Sequence, residues 1–349
     1  MKTAKTKRVI RIGLVGYGKH GQWAVLPAIN SAKGAKLAAV ADLSSDNLAL
    51  RPDHKVPAYN DYREMFKNEQ LDAVYVVVPV EGHVEVTLAA LRAGLHVIVE
   101  KPMAPTAAEC RRMINAAKRK NLLLAVDFEL RYSQEFRQIR QWIAEGHLGR
   151  IGAVHFDQMW DGHKTTGPLG ERRHRFCDSS GTLDCGIHKL DLIRYFLGGG
   201  KWQDVRAYGV WFDEKVRYAP HIAIQARLDN GVMATFNSSF AFTAYIKERD
   251  SYSSLAILGQ QGVITMGVDD TGKSCIKLTS ATKCETKSIG AEGHASGIML
   301  LVEDFSRAVR TGKPLPPEVA TGEDGMMAVW IVGEANEQAV AEGDSFSKQ

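Results

Sequence analysis

Three short stretches of the sequence hold residue types that do chemistry. The first is Gly16-Tyr-Gly18-Lys19-His20-Gly21, a GxGxxG turn between an apolar run and a helix-like stretch. In this setting Gly16 permits the tight bend, Gly18 lets backbone approach a pyrophosphate, and Gly21 lets helix pack on strand. The free N–H groups of the following helix, with Lys19 and His20 beside them, favour phosphate. Asp42 lies 21 residues past Gly21, at the end of the next apolar run. A carboxylate there holds the adenosine ribose hydroxyls and repels a 2′-phosphate by about 1–4 kcal/mol at contact distance. Leu43 stands where an arginine would help NADP, so NAD is expected; Ser44, Ser45 and Arg51 keep NADP open.

The second stretch is Glu100-Lys101-Pro102. In a doubly wound sheet, ligands sit outside the carboxyl ends of the strands, which would aim Lys101 into the crevice; a solvated turn lysine is the plain alternative. Pro102 is compatible with a cis peptide. The third is Asp184-x-x-x-His188. On an α-helix these two share a face, as a metal half-site, a base with its orienter, or a helix ion pair. No second His/Glu pair stands nearby, so no metal is expected. Asp191 reads as a cap or bridge, and Cys185, next to Asp184, as a small filler.

The elements that must position these groups alternate. Val9–Val15, Lys36–Ala41, Ala73–Val78, His96–Val99 and Leu122–Val126 read as strands. Helix-like stretches separate them: His20–Lys33, Val84–Arg92 closed by Gly94, and a segment from the capping box Thr106-Ala-Ala-Glu109 to Lys120. Continuous β-branched runs between helices predict a parallel sheet covered on both faces. The expected fold is α/β: a doubly wound Rossmann domain over 1–128, then an α+β domain over 129–349 with a large, mainly antiparallel open sheet. Ile151–Met159, Ala223–Leu228, Gly231–Phe236 and Leu255–Leu258 read as its strands, with Asp229-Asn-Gly231 as a hairpin turn. Asp184–Phe196, Gly297–Val309 and Gly325–Gln338 read as its helices.

Taken together, the glycine turn, Glu100-Lys-Pro102 and Asp184-x-x-x-His188 resemble the Gfo/Idh/MocA oxidoreductases, a family that includes glucose–fructose oxidoreductase and inositol dehydrogenase. Further likenesses follow in order: Asp72-Ala-Val with Pro79-x-x-x-His83, Gly146-x-Leu-Gly149-x-Ile, Leu258-Gly-Gln-Gln-Gly262 and Gly322-Glu-Asp-Gly325. Where the family often carries two or three glycines before the Asp, Ser179-Ser180-Gly181 supplies one. The resemblance implies catalytic Lys101, Asp184 and His188, and cofactor contacts from Pro79, His83 and Glu100. It implies hydride transfer between nicotinamide and a ring carbon of a sugar, polyol or sugar derivative. His188 would take the hydroxyl proton, Lys101 would stabilise the oxygen, and Asp184 would position both. A sugar lyase or glycosidase using transient oxidation, or a non-catalytic NAD sensor, are the alternatives; the presence of all three groups disfavours the sensor. The family also implies a homodimer or homotetramer paired through the second sheet.

Substrate choice falls to groups near the crevice. Arg131 and Tyr132 follow the last Rossmann strand and are expected at the substrate. Trp160 either stacks on a sugar ring or packs. His163-Lys164 and Arg172-Arg-His-Arg175 form a basic loop that would suit a phosphate or carboxylate group, a solvated face or a subunit contact. The composition bounds the rest. Apolar residues are 45%, charged residues 24%, and net charge is +4, too mild to imply nucleic acid. The longest nearly apolar run, Leu71–Val80, is half the roughly 20 residues of a membrane span. Five cysteines without a CxxC pair, and a basic start without an apolar stretch, suit reduced thiols in the cytoplasm.

Overall fold

The computed structural model describes residues 8–159, 180–211, 216–239, 252–290 and 294–346. Trp160, the basic loop 163–175 with Arg175, and Cys177 lie outside these. The chain divides into two compact units, 1–133 with 292–326, and 134–291 with 327–349. The expected division into 1–128 and 129–349 has no counterpart for the returning segment 292–326.

The first unit is built on six parallel strands: β1 Ile10–Val15, β2 Ala35–Ala41, β3 Ala58–Tyr59, β4 Ala73–Val76, β5 His96–Glu100 and β6 Leu124–Asp127. Their order is β6-β5-β4-β1-β2-β3, the doubly wound arrangement, with the crossover point beside β1. A two-residue strand, Ala320–Thr321, pairs antiparallel with the outer edge of β6. β4 is buried at every position, as a strand covered on both faces must be. Helix Ala107–Lys120 shows how the covering works: Cys110, Met113, Ile114 and Ala117 form one buried stripe. Thr106 caps it, accepting from Glu109 N at 3.3 Å while its hydroxyl donates to the Glu109 carboxylate at 2.8 Å. Helix His294–Thr311 closes the unit through Ile298, Leu301, Val302 and Phe305, packed in one cluster with Leu14, Tyr17 and Tyr132.

The second unit holds an eight-stranded sheet: β7 Ile151–Met159, β8 Trp202–Val210, β9 His221–Leu228, β10 Met233–Ser239, β11 Tyr252–Gly259, β12 Gly262–Val268, β13 Ser274–Ser280 and β14 Cys284–Ser288. Its order is β14-β13-β12-β11-β7-β10-β9-β8, antiparallel except between β7 and β10. Strict alternation in β9 turns Ile222, Ile224, Ala226 and Leu228 inward. The expected hairpin joins β9 to β10: Gly231 sits at φ +86° and donates to Leu228 O at 2.8 Å. Helices Gln134–Ala144 and Ile187–Phe196, with helix Gly322–Phe346 from residue 327 onward, complete the α+β pattern. No described helix is long and apolar enough to cross a membrane.

Candidate active site

The glycine turn follows β1 directly, and each glycine answers a separate demand. Gly16 has φ +99°, and a Cβ there would meet Val77 O at 2.5 Å. A Cβ on Gly21 would meet Gly16 O at 2.6 Å, so only hydrogen lets the following π turn, Gly21–Val25, sit this close. A Cβ on Gly18 would meet nothing within 4 Å. That open space is what the approach of a pyrophosphate to backbone requires. Asp42 stands just past β2. Its Oδ2 accepts from Tyr17 N at 2.5 Å, and its Oδ1 from Ser44 N at 2.8 Å and Asn47 Nδ2 at 3.2 Å. The carboxylate is therefore oriented by the glycine turn itself, with lone pairs left for ribose hydroxyls. Arg51, weighed for a 2′-phosphate, donates to Leu48 O at the end of its own short helix.

On the other side of β1, Glu100 ends β5 and Asp127 ends β6, and the parallel register sets them opposite each other. Both are buried, Asp127 at 1% exposure. Glu100 Oε1 meets His20 Nε2 at 2.9 Å, and Glu100 Oε2 accepts from Lys101 N at 3.0 Å. Tyr75, from β4, donates its hydroxyl to Asp127 Oδ2. Glu129, also buried, meets His294 Nδ1 at 2.7 Å. Trp23 stands edge-on to both His20 and His294, at 5.3 and 6.1 Å between ring centres. Burial pushes the Glu100 carboxyl up to about 7, opposed by the Asp127 hydrogen bond and the Lys101 charge. Burial and the negative charges of Glu100 and Glu129 hold Asp127 well above the carboxylate range. Burial lowers His20, whereas the hydrogen bond to Glu129 raises His294. The facing atoms of His20, Glu100 and Asp127 lie within 4.8 Å of one another.

Lys101 follows this cluster through a cis peptide to Pro102. His83, expected on the cofactor side, is buried with Nδ1 2.9 Å from Pro102 O and Nε2 2.9 Å from Val78 O. It ties the turn after β5 to the turn after β4, and burial lowers its basicity. Pro79 opens helix Val80–Arg92 from an exposed position, and Lys19 is exposed as well. Arg131 and Tyr132, expected at the substrate, are buried at 3% and 4% exposure. Arg131 donates to Pro317 O at 3.1 Å and lies 3.5 Å from Asp324; Tyr132 donates to Asp304 at 2.9 Å. Both side chains thus bind the returning segment into the first unit.

Asp184 and His188 belong to the second unit. The expected single helix begins instead as a π turn, Thr182–Gly186, and becomes α-helical at Ile187. Ser180 Oγ accepts from both Thr182 N and Leu183 N, at 3.1 and 3.3 Å, which anchors the irregular start. Asp184 is half-buried, with Cys185 Sγ 3.7 Å from its Oδ2, and His188 is 9% exposed.

Comparison with known proteins agrees with this geometry in both units. Residues 10–128 match the oxidoreductase family with an NAD-binding Rossmann fold, and 136–265 match the GFO/IDH/MocA C-terminal domain. The chain belongs to the Gfo/Idh/MocA oxidoreductases. Myo-inositol 2-dehydrogenase of Thermotoga maritima is 26% identical over 95% of this chain and 97% of its own length. An oxidoreductase from Agrobacterium radiobacter, solved with NAD+, L-tartaric acid and magnesium, superposes with a TM-score of 0.81 at 18% identity, covering 95% of this chain and 96% of that one. Levoglucosan dehydrogenase, solved with NADH and levoglucosan, gives 0.80 at 21% identity over 96% and 98%. At those identities the two structures establish the shared fold.

As a Gfo/Idh/MocA oxidoreductase, this chain is an enzyme whose first unit binds NAD. Sequence reasoning missed Tyr75, Asp127 and His294 in that unit. A signal for Asp127 was present: His-Val-Ile-Val-Glu100 and Leu-Ala-Val-Asp127 are successive apolar runs, each ending in a carboxylate.

Proposed function

We propose that the protein is an NAD-dependent dehydrogenase or reductase of a sugar, polyol or sugar derivative, with Lys101, Asp184 and His188 as its reacting groups. The observation that carries this reading is the position of Lys101. It leaves the carboxyl end of β5, in the same unit as an open phosphate turn and an oriented Asp42. The bound nicotinamide supplies the acceptor or donor of hydride. Lys101 presents a positive charge to the reacting oxygen and stabilises negative charge developing there. His188 removes the hydroxyl proton in oxidation and returns it in reduction, a task suited to an imidazole near neutral pH. Asp184 positions the substrate and the Lys/His pair. The names of the relatives support the substrate class: myo-inositol 2-dehydrogenase, inositol 2-dehydrogenase and 1,5-anhydro-D-fructose reductase.

We also infer a homodimer or homotetramer. The second sheet leaves Tyr208, Val210, Met233 and Leu258 exposed, which supports pairing through that face.

The test is a panel of inositols, sugars, sugar acids and sugar phosphates with NAD+ and NADP+, followed by absorbance of the reduced nicotinamide. Turnover of at least one polyol or sugar is expected, with Lys101→Ala lowering kcat by about 100-fold or more while NAD binding persists. A fully active Lys101→Ala enzyme removes Lys101 from the mechanism.

A further inference from the structure

The acid cluster at the ends of β5 and β6 has a place in the chemistry that the Lys/His scheme does not use. Asp127 Oδ1 is buried and meets no N–H or O–H donor among the described residues, while Tyr75 already occupies Oδ2. Its neighbour is the Glu100 carboxyl, itself an acceptor from Lys101 N. Two buried carboxyl groups in contact require a proton between them. Asp127 holds that proton and donates it to Glu100. Glu100 Oε1 then faces His20 Nε2 at 2.9 Å, and a second proton has its place on that contact. The His20 side chain is 39% exposed, so this second proton has a path to solvent.

The groups facing the chain come from every surrounding element: Tyr75 on β4, Lys101 after β5, Glu129 after β6, and His294 at the start of the closing helix. The dinucleotide's course is set by the same edge of the sheet. With the ribose held at Asp42 beside β2 and the pyrophosphate at the glycine turn after β1, the nicotinamide half would extend over β4 to β6.

Resting on the hydride-transfer reading above, we propose that the His20–Glu100–Asp127 chain is a charge-compensating proton store. It gives one proton to solvent when the cationic nicotinamide is bound and takes one back when the ring is neutral. The balance is complete. In oxidation the substrate C–H leaves as hydride to the ring, cancelling its positive charge. The O–H proton leaves through His188 to solvent. One proton returns from solvent through His20 to Glu100, so the loaded protein keeps its charge through the step. Burial pushes the Glu100 carboxyl up to about 7, so the store exchanges its proton in the neutral range. Binding of NAD+ therefore strengthens with pH, by up to about tenfold per unit below about 7, and levels off above it.

The test is calorimetric titration of the full chain with NAD+ and with NADH, at about pH 6.5, in two buffers of different ionisation enthalpy. Release of roughly half to one proton per NAD+ bound is expected, with far less for NADH. Glu100→Gln is expected to release no proton for each NAD+ that it binds, whatever its affinity; a circular-dichroism melt checks its fold. Should Glu100→Gln not fold, the wild-type pH dependence of NAD+ and NADH affinity decides alone: steep for the first, flat for the second. Equal proton counts for the two cofactors, or release unchanged in Glu100→Gln, overturns the store and leaves the dehydrogenase reading intact. Linked release in a protein that oxidises no member of the panel does the reverse.

Discussion

Glu100 is where burial and charge oppose each other most directly. Its folded value of about 7 lies above the ordinary 4.5, so the unfolded chain gives up this proton first. Between those two values the unfolded state binds fewer protons, and stability falls as pH rises. Glu100→Gln lacks that step. Thermal melts from pH 4.5 to 7 are expected to show the wild type losing stability relative to Glu100→Gln, and a constant difference would contradict the burial cost. Asp42 poses a different question. Asp42→Ala is expected to weaken NAD by about tenfold or more, the value of one lost charge-assisted contact, and NADP by less. Titration of intrinsic fluorescence with each cofactor measures it; equal losses would mean that the ribose is held elsewhere. Lys101, Asp42 and the glycines were legible in the sequence because local spacing defines their setting. The buried partners were not. Arg131 looked like a substrate contact because it follows a strand end, but its partners Pro317 and Asp324 are nearly two hundred residues away in sequence, and no local pattern announces them.

Elements were legible in proportion to how much apolar surface they bury. β1, β2, β4, β5 and β6 are buried runs, and their sequence patterns fall on the observed strands to within a few residues. β14, Cys-Glu-Thr-Lys-Ser, has no buried residue and leaves no apolar signature. The π turns at Gly21–Val25 and Thr182–Gly186 escaped a reading tuned to a period of 3.6, because their backbone bonds reach one residue further. Helix Gln134–Ala144 carries Phe136, Ile139, Trp142 and Ile143 at helical spacing between polar residues, a signal present in the sequence that the reading passed over. The glycine turn yields a prediction that separates folding from binding. Gly21→Ala puts a methyl 2.6 Å from Gly16 O and is expected to lower the melting temperature by several degrees. Gly18→Ala meets open space and is expected to melt normally yet lose most NAD affinity. Normal NAD affinity in Gly18→Ala would mean that the phosphates do not pass there.

For the molecule as a whole, the chain does not finish one unit before beginning the next. Residues 292–326 return to the first unit, where Phe305 is fully buried among Leu14, Tyr17 and Leu301. Phe305→Ala is expected to cost about 3–5 kcal/mol and to abolish NAD binding at lower urea than in the wild type. A loss under about 1 kcal/mol would mean that the returning segment is an accessory to that core. The same connectivity has a consequence during synthesis. On the ribosome, β6 emerges long before Ala320–Thr321, the strand that covers its outer edge. Through most of translation the nascent nucleotide-binding half carries an open sheet edge and an uncapped apolar flank, a natural target for a chaperone until the last segments are released.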